Sequence, residues 1–158
     1  MKDSFVSQPV QDAALYGAAI TSFREEYAFL SNFYQAEVTF EGMTYPNNEA
    51  AFQAAKCLNP EERIPFTKQK NPVIAKRMGR KVKLRPDWEK VKIGIMEEIV
   101  RAKFTQHPEL AEKLVATGNV PLMEGNKWHD TFWGVDAVTG RGENHLGKIL
   151  MQVREEMR

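Results

Sequence analysis

Tyr45-Pro46-Asn47-Asn48-Glu49-Ala50-Ala51-Phe52-Gln53-Ala54-Ala55-Lys56-Cys57-Leu58 is the stretch from which the fold is read. Pro46 ends whatever precedes it, and Asn47 or Asn48 offers a side-chain oxygen to cap a new helix. At about 100° per residue, Glu49, Gln53 and Lys56 fall on one narrow strip. Alanines, Phe52 and Leu58 fill most of the remaining surface. A solvent-facing helix carries a broad polar face. This one implies burial on most sides, with an acid, an amide and an amine facing something polar. A partner chain, an internal ion pair and a ligand cavity all satisfy that pattern.

Upstream, Glu37-Val38-Thr39-Phe40, the turn Glu41-Gly42 and Met43-Thr44-Tyr45 predict a small hairpin with Val38, Phe40, Met43 and Tyr45 inward. Ala19 to Phe23 predicts a short strand, and the aromatic run Tyr27 to Tyr34 a core plug or a pocket wall. Residues 1–18 are polar and weakly patterned and predict a loose arm before a single domain, 19–158. Downstream, Asn59-Pro60 breaks the chain, and Glu61 to Lys68 is a short helix at best. Asn71-Pro72 starts a helix that stops at Gly79. Asp87 to Phe104 is the longest helix, buried on two flanks by Trp88, Val91, Ile95, Ile99 and Ala102 and by Ile93, Met96 and Val100. A further helix spans Pro108 to Ala116. Val120 to Met123 reads as a strand, and Leu146, Leu150, Val153 and Met157 mark a C-terminal amphipathic helix. The expected fold is α+β, predominantly helical, with a small β-sheet or hairpin.

The 158 residues are 42% hydrophobic and 27% charged, with net charge +1. That is one ordinary domain with a core of its own, and a charge balance that argues against general coating of nucleic acid. The single cysteine, Cys57, sits inside the opening helix on this reading, a buried hydrophobe in a reducing compartment. No apolar run reaches the length of a membrane span, and no signal peptide is evident, so a cytoplasmic location is expected. The three histidines lack zinc-site spacing, so no metal and no cofactor are expected.

Four stretches carry more polarity or aromaticity than packing needs. Buried among alanines, the Glu49/Gln53/Lys56 strip needs a partner for its acid, although an ion pair of helix neighbours explains it nearly as well. Trp128-His129-Asp130-Thr131-Phe132-Trp133-Gly134 can stack on a planar base beside an acid, or simply pin a loop. Gly140-Arg141-Gly142-Glu143-Asn144-His145-Leu146-Gly147 leads into a helix and can offer N–H groups to phosphate, or be a turn with Asn144 as the cap. Lys76, Arg77, Arg80, Lys81, Lys83 and Arg85 form a solvated face or a phosphate fork.

Taken together the chain resembles the YbiA-like, or NADAR, family. The resemblance rests on Leu30 to Tyr34, Gly42 to Pro46, Glu49 to Lys56, Ala75 to Arg80, Asp87 to Met96, Arg101 to Phe104, Asp130 to Gly134, Gly140 to Gly147 and Arg154. Members are N-glycosidases; some hydrolyse early riboflavin-pathway intermediates, others remove ADP-ribose from modified guanine. The resemblance implies catalytic roles for Glu49, Asp130 and Trp88. It implies substrate contacts from Asn32, Phe33, Gln53, Lys56, Arg77, Gly79, Trp128, Trp133, Gly134, Gly142 and Asn144. The implied partner is a small nucleotide-like substrate or an ADP-ribosylated nucleobase, with transient nucleic-acid contact through residues 76–85. Many members carry His directly after the motif glutamate, where this chain has Ala50. That departure favours the alternative of a non-catalytic ADP-ribose or nucleotide reader.

Overall fold

The computed structural model describes residues 19–158; the expected arm, 1–18, lies outside them. These residues form two compact units, one of Asn32–Pro108 and one of the residues up to Ser31 with Glu109–Arg158. The described residues are predominantly helical with two small two-stranded sheets.

In the central unit, strand β1 (Gln35–Phe40) pairs antiparallel with β2 (Met43–Asn47), placing Val38 opposite Tyr45 and Phe40 opposite Met43. The two-residue turn has both φ angles positive, 49° at Glu41 and 86° at Gly42, the backbone twist that a tight hairpin needs. Ala36, Val38, Phe40 and Tyr45 are buried. Asn47 ends β2 extended and accepts the Ala50 N–H at 2.9 Å, so one residue closes the strand and caps helix α1 (Asn48–Ala54).

Helix α1 is shorter than its sequence pattern suggests. The Lys56 and Cys57 amides reach back three residues, to Gln53 and Ala54, tightening the last turn. Arg85 takes up the final carbonyls: its N–H donates to Lys56 O at 2.9 Å and its Nη1 to Ala55 O at 3.3 Å. Cys57 therefore lies beyond the helix rather than inside it, although it is fully buried, as a small hydrophobe would be.

Asn59 and Asn71 cap α2 (Pro60–Thr67) and α3 (Pro72–Gly79), each followed by proline. Pro65 is accommodated inside α2, a full helix where only a marginal one was expected. Helix α4 (Trp88–Gln106) packs on β1 and α1 through Trp88, Ile95, Met96, Ile99, Val100 and Phe104. Ile93, expected on its second buried flank, is 38% exposed.

In the other unit the expected strands at 19–23 and 120–123 reduce to one parallel bridge, Ile20 with Leu122. Each segment is too short to extend the ladder. The run 25–30 is a 3₁₀ helix, Glu25–Leu30, burying Phe29 and Leu30. Helix α5 (Pro108–Ala116) turns Leu110 and Leu114 inward. A short parallel pair, β3 (Gly125–Asn126) with β4 (Val135–Asp136), precedes α6 (His145–Met157). Leu146, Ile149, Leu150 and Val153 form the inner stripe of α6.

Candidate active site

Glu49 and Gln53, one helical turn apart on α1, are 7% and 5% exposed. Gln53 Nε2 donates to Glu49 Oε2 at 2.6 Å, a short bond of the kind a charged acceptor makes. With its amide nitrogen committed to the carboxylate, Gln53 turns Oε1 the other way, against Gly79, and that oxygen has no hydrogen-bond partner among the described residues. The side chains that seal this helix are the alanines of the motif: Ala50, Ala51 and Ala54 are fully buried.

The helix start is held by Asn32. Its carbonyl accepts the Glu49 N–H at 3.0 Å, and its Oδ1 accepts from Asn48 Nδ2 at 3.2 Å. Asn32 Nδ2 meets Met96 Sδ of α4 at 3.4 Å. Asn48 is 1% exposed and its Oδ1 is a second buried acceptor without a hydrogen-bond partner among the described residues.

Lys56 follows α1 in the turn, half-buried. Its Nζ lies 5.9 Å from the ring centre of Trp88. Burial lowers its pKa from the ordinary value, and the Glu49 carboxylate pulls against that lowering while Arg80 and Lys76 add to it. Trp88 is 6% exposed and tilts against Phe52 at 5.0 Å between ring centres. It is thus a wall packed from behind rather than an open stacking platform. Phe33 is 38% exposed.

The glycine that ends α3 has a different role from the one its position suggests. Gly79 is not left-handed, so handedness does not demand glycine there. A Cβ on Gly79 would overlap Gln53 Oε1 and stand 2.6 Å from Gln53 Cδ. In the basic run Arg77, Arg80, Lys81 and Lys83 are exposed. Arg85 is not free for phosphate: it grips Asp87 through Nε at 2.7 Å and Nη2 at 3.1 Å.

In the other unit, Asp130 shapes its own loop. Its Oδ1 accepts the N–H groups of Phe132 at 3.1 Å and Trp133 at 2.9 Å. Asn126, 1% exposed, clamps the same residue by accepting its N–H and donating to its carbonyl. Trp133 meets Phe132 edge-on, and Phe132 lies 4.4 Å from the His145 ring. Trp128 is 53% exposed.

The glycine loop is spent on the fold. The N–H groups of Glu143, Asn144, His145 and Leu146 donate to the carbonyls of Thr131, Gly134, Phe132 and Trp133. Those donors at the start of α6 are therefore not open to phosphate, as the sequence pattern suggested. Asn144 makes no side-chain cap, contrary to the sequence expectation. It is fully buried with φ 54°, and its Oδ1 accepts from Glu124 N at 3.1 Å while Nδ2 donates to Leu122 O at 2.9 Å. A Cβ at Gly134 would overlap Glu124 O, and one at Gly142 would overlap Gly134 O. Both glycines permit close backbone approach. Arg154 is likewise structural, donating to Thr117 Oγ1 and Val120 O.

Several buried polar residues escape the sequence reading, Asn126 and Arg63 among them. Asn48 is weighed there only as a cap. Lys103 follows Met96 and Val100 at i+7 and i+3 on the apolar stripe of α4, and that placement is the signal that it is buried, at 1% exposure.

A buried carboxylate held by an amide from its own helix, beside a lysine and a tryptophan, defines a candidate acid–base site. The NADAR domain family matches residues 20–158, and the chain belongs to that family. It is 39% identical over 138 residues to N-glycosidase YbiA of Escherichia coli, covering 86% of this chain and 85% of that protein. An N-glycosidase of Nostoc punctiforme is 37% identical over 139 residues, covering 85% of this chain and 88% of its own. A riboflavin biosynthesis protein of Vibrio vulnificus is 38% identical over 135 residues, which span 36% of that longer protein. The solution NMR structure of Escherichia coli YbiA superposes with a TM-score of 0.76 at 37% identity, covering 88% of this chain and 83% of that one.

Proposed function

We infer that the protein is an N-glycosidase: a hydrolase that cleaves the ribosyl C–N bond of a nucleotide-like substrate. The observation that carries this reading is the buried Glu49 carboxylate, aimed by Gln53 within a helix that the family match covers. Breaking such a bond passes through an oxocarbenium-like transition state, as in O-glycoside hydrolysis. The C1′–N bond breaks with its electron pair going to nitrogen, water oxygen bonds to C1′ and keeps one hydrogen, and the other water proton passes by way of the base to the leaving nitrogen. Glu49 stabilises the cation and accepts the water proton. Lys56, whose pKa burial lowers, relays that proton from Glu49 toward the leaving nitrogen. Trp88 walls the site.

On motif position alone, Asp130 is assigned to ribose hydroxyls or water, and Trp128 and Trp133 to stacking on the base. Asn32, Phe33 and Arg77 are assigned to the substrate on the same ground. The relatives named for riboflavin biosynthesis favour a ribosylaminopyrimidine phosphate. The exposed Arg77, Arg80, Lys81 and Lys83 favour a second substrate, an ADP-ribosylated guanine with its two phosphates, met free or in nucleic acid. The proposed location is cytoplasmic; no described helix is long and apolar enough to cross a membrane.

Incubation with both substrate classes and mass-spectrometric detection of free base tests the assignment. Glu49→Gln should lower turnover by ~10³-fold, within the range for loss of a positioned acid–base group, while calorimetry still shows binding. Unchanged turnover in that variant removes Glu49 as the catalyst. Binding without turnover in the parent protein makes it a reader rather than a hydrolase.

A further inference from the structure

We propose that Gly79 and Gln53 form a positioning relay from α3 to the catalytic carboxylate, rather than contacts to substrate. The inference deepens the N-glycosidase reading and rests on it for its kinetic arm. The relay is built from three facts. Gln53 Nε2 is bonded to Glu49 Oε2 at 2.6 Å. The opposite side of the same amide, Oε1, lies in the space that a Cβ at residue 79 would occupy. That oxygen has no hydrogen-bond partner among the described residues although the side chain is 5% exposed.

A buried amide oxygen without a donor is normally avoided, because its desolvation is uncompensated. Turning the amide over would give Oε1 no better place: it would then face the Glu49 carboxylate, acceptor against acceptor. The orphan oxygen is therefore the consequence of committing the amide nitrogen to Glu49. What makes the commitment sterically possible is the missing side chain at position 79. The last residue of α3 lacks a Cβ and has no left-handed φ to account for the glycine. Close backbone approach accounts for it instead. The Gln53 amide is wedged between Gly79 and Glu49, and the wedge sets the rotamer of the acid. A carboxylate displaced by an ångström loses alignment with the anomeric carbon, which typically lowers rates by ~10²-fold.

The test is a double-mutant cycle read in kcat and KM, with Gly79→Ala, Gln53→Ala and the pair. Gln53→Met, which keeps the volume and removes the donor, serves as a variant that folds. Gln53→Met and Gln53→Ala should each lower kcat by ~10- to ~100-fold with KM within about twofold. Gly79→Ala should do the same in the parent but add little in Gln53→Ala, where the amide it would strike is gone and only a 3.0 Å approach to the residue-53 Cβ remains. Additive losses, or a rise in KM alone, overturn the relay and return these residues to substrate contact. A second arm is independent of turnover. The Glu49 carboxyl carbon, followed by NMR against pH, should titrate at higher pH in Gln53→Met and in Gly79→Ala than in the parent, because a donor to the ionised form is lost. Inactivity of the parent on every N-glycoside sinks the functional reading but leaves this arm to decide the relay. Identical titration curves in all three proteins refute it.

Discussion

Lys103 Nζ lies 5.4 Å from the ring centre of Tyr34 in a residue that is 1% exposed. The Phe104 ring is at 5.3 Å. Burial pushes the Lys103 pKa from 10.5 down to about 7. Cation–π contact returns part of what dehydration removes from the ammonium.

The consequence for stability has a definite sign. Between about pH 7 and 10.5 the unfolded chain keeps the Lys103 proton and the folded chain does not. The unfolded state binds more protons, so stability rises with pH in that window and is lowest below it. Cys57 and Tyr45, whose pKa values burial raises, pull the other way once pH passes their ordinary values of 9.0 and 10.0. Urea unfolding at pH 7.0 and 8.5 should therefore show a gain of up to ~2 kcal/mol in the parent, and Lys103→Met should lose most of that gain. Equal pH slopes in the two proteins would show that Lys103 is not the source.

Asp130 separates structure from charge in one residue. Asparagine retains an Oδ1 to accept the Phe132 and Trp133 N–H groups. Asp130→Asn should thus melt close to the parent yet lose ~10²-fold or more in kcat if the carboxylate takes part in the chemistry. Asp130→Ala should lose activity and about 1–2 kcal/mol of stability together, since a turn-capping acceptor goes. Full activity in the asparagine variant would reduce Asp130 to a loop clamp.

Asn144 is predicted to be a folding residue. Alanine there strands Glu124 N and Leu122 O and has no reason to adopt a φ of 54°. Chemical denaturation of Asn144→Ala should show a loss of about 2–4 kcal/mol. A loss below about 0.5 kcal/mol, the scale of an ordinary surface change, would contradict the assignment.

Trp128 offers the cleanest test of stacking. At 53% exposure its removal should change stability by less than about 0.5 kcal/mol. If it stacks on the base, Trp128→Ala raises KM by ~10-fold or more, matching the ~1–3 kcal/mol of such contacts. Unaltered KM and kcat would remove it from the substrate site.

Much of the fold was legible in the sequence because its signals are local. Asn71-Pro72 announces a cap, Asn59-Pro60 a break, Glu41-Gly42 a turn, and the spacing of Leu146, Leu150 and Val153 announces α6. Period and capping act over a few residues and need no knowledge of the rest. The buried strip on α1 was visible for the same reason. What the sequence hid was long-range. Arg85 looks like part of a basic run until its bonds to Lys56 and Ala55 are seen. The glycines at 140–147 look like an anion loop until the carbonyls of 131–134 are found against the amides they leave. Gly79 looks like a helix terminator until Gln53 is found lying on it. In each case the partner is distant in the chain, and composition cannot reveal who arrives.

The pinned start of α6 also limits where this loop can diverge. Residues 131–134 supply the carbonyls and 143–146 the amides, so an insertion in either run would break the knot that starts the helix. Asp136 ties the far end through the amides of Val138 and Thr139. An insertion beside Val138, 70% exposed, would open this local turn but leave the paired runs 131–134 and 143–146 intact. A graft between relatives should therefore keep both anchored runs and β4 intact and exchange only the turn at 137–140.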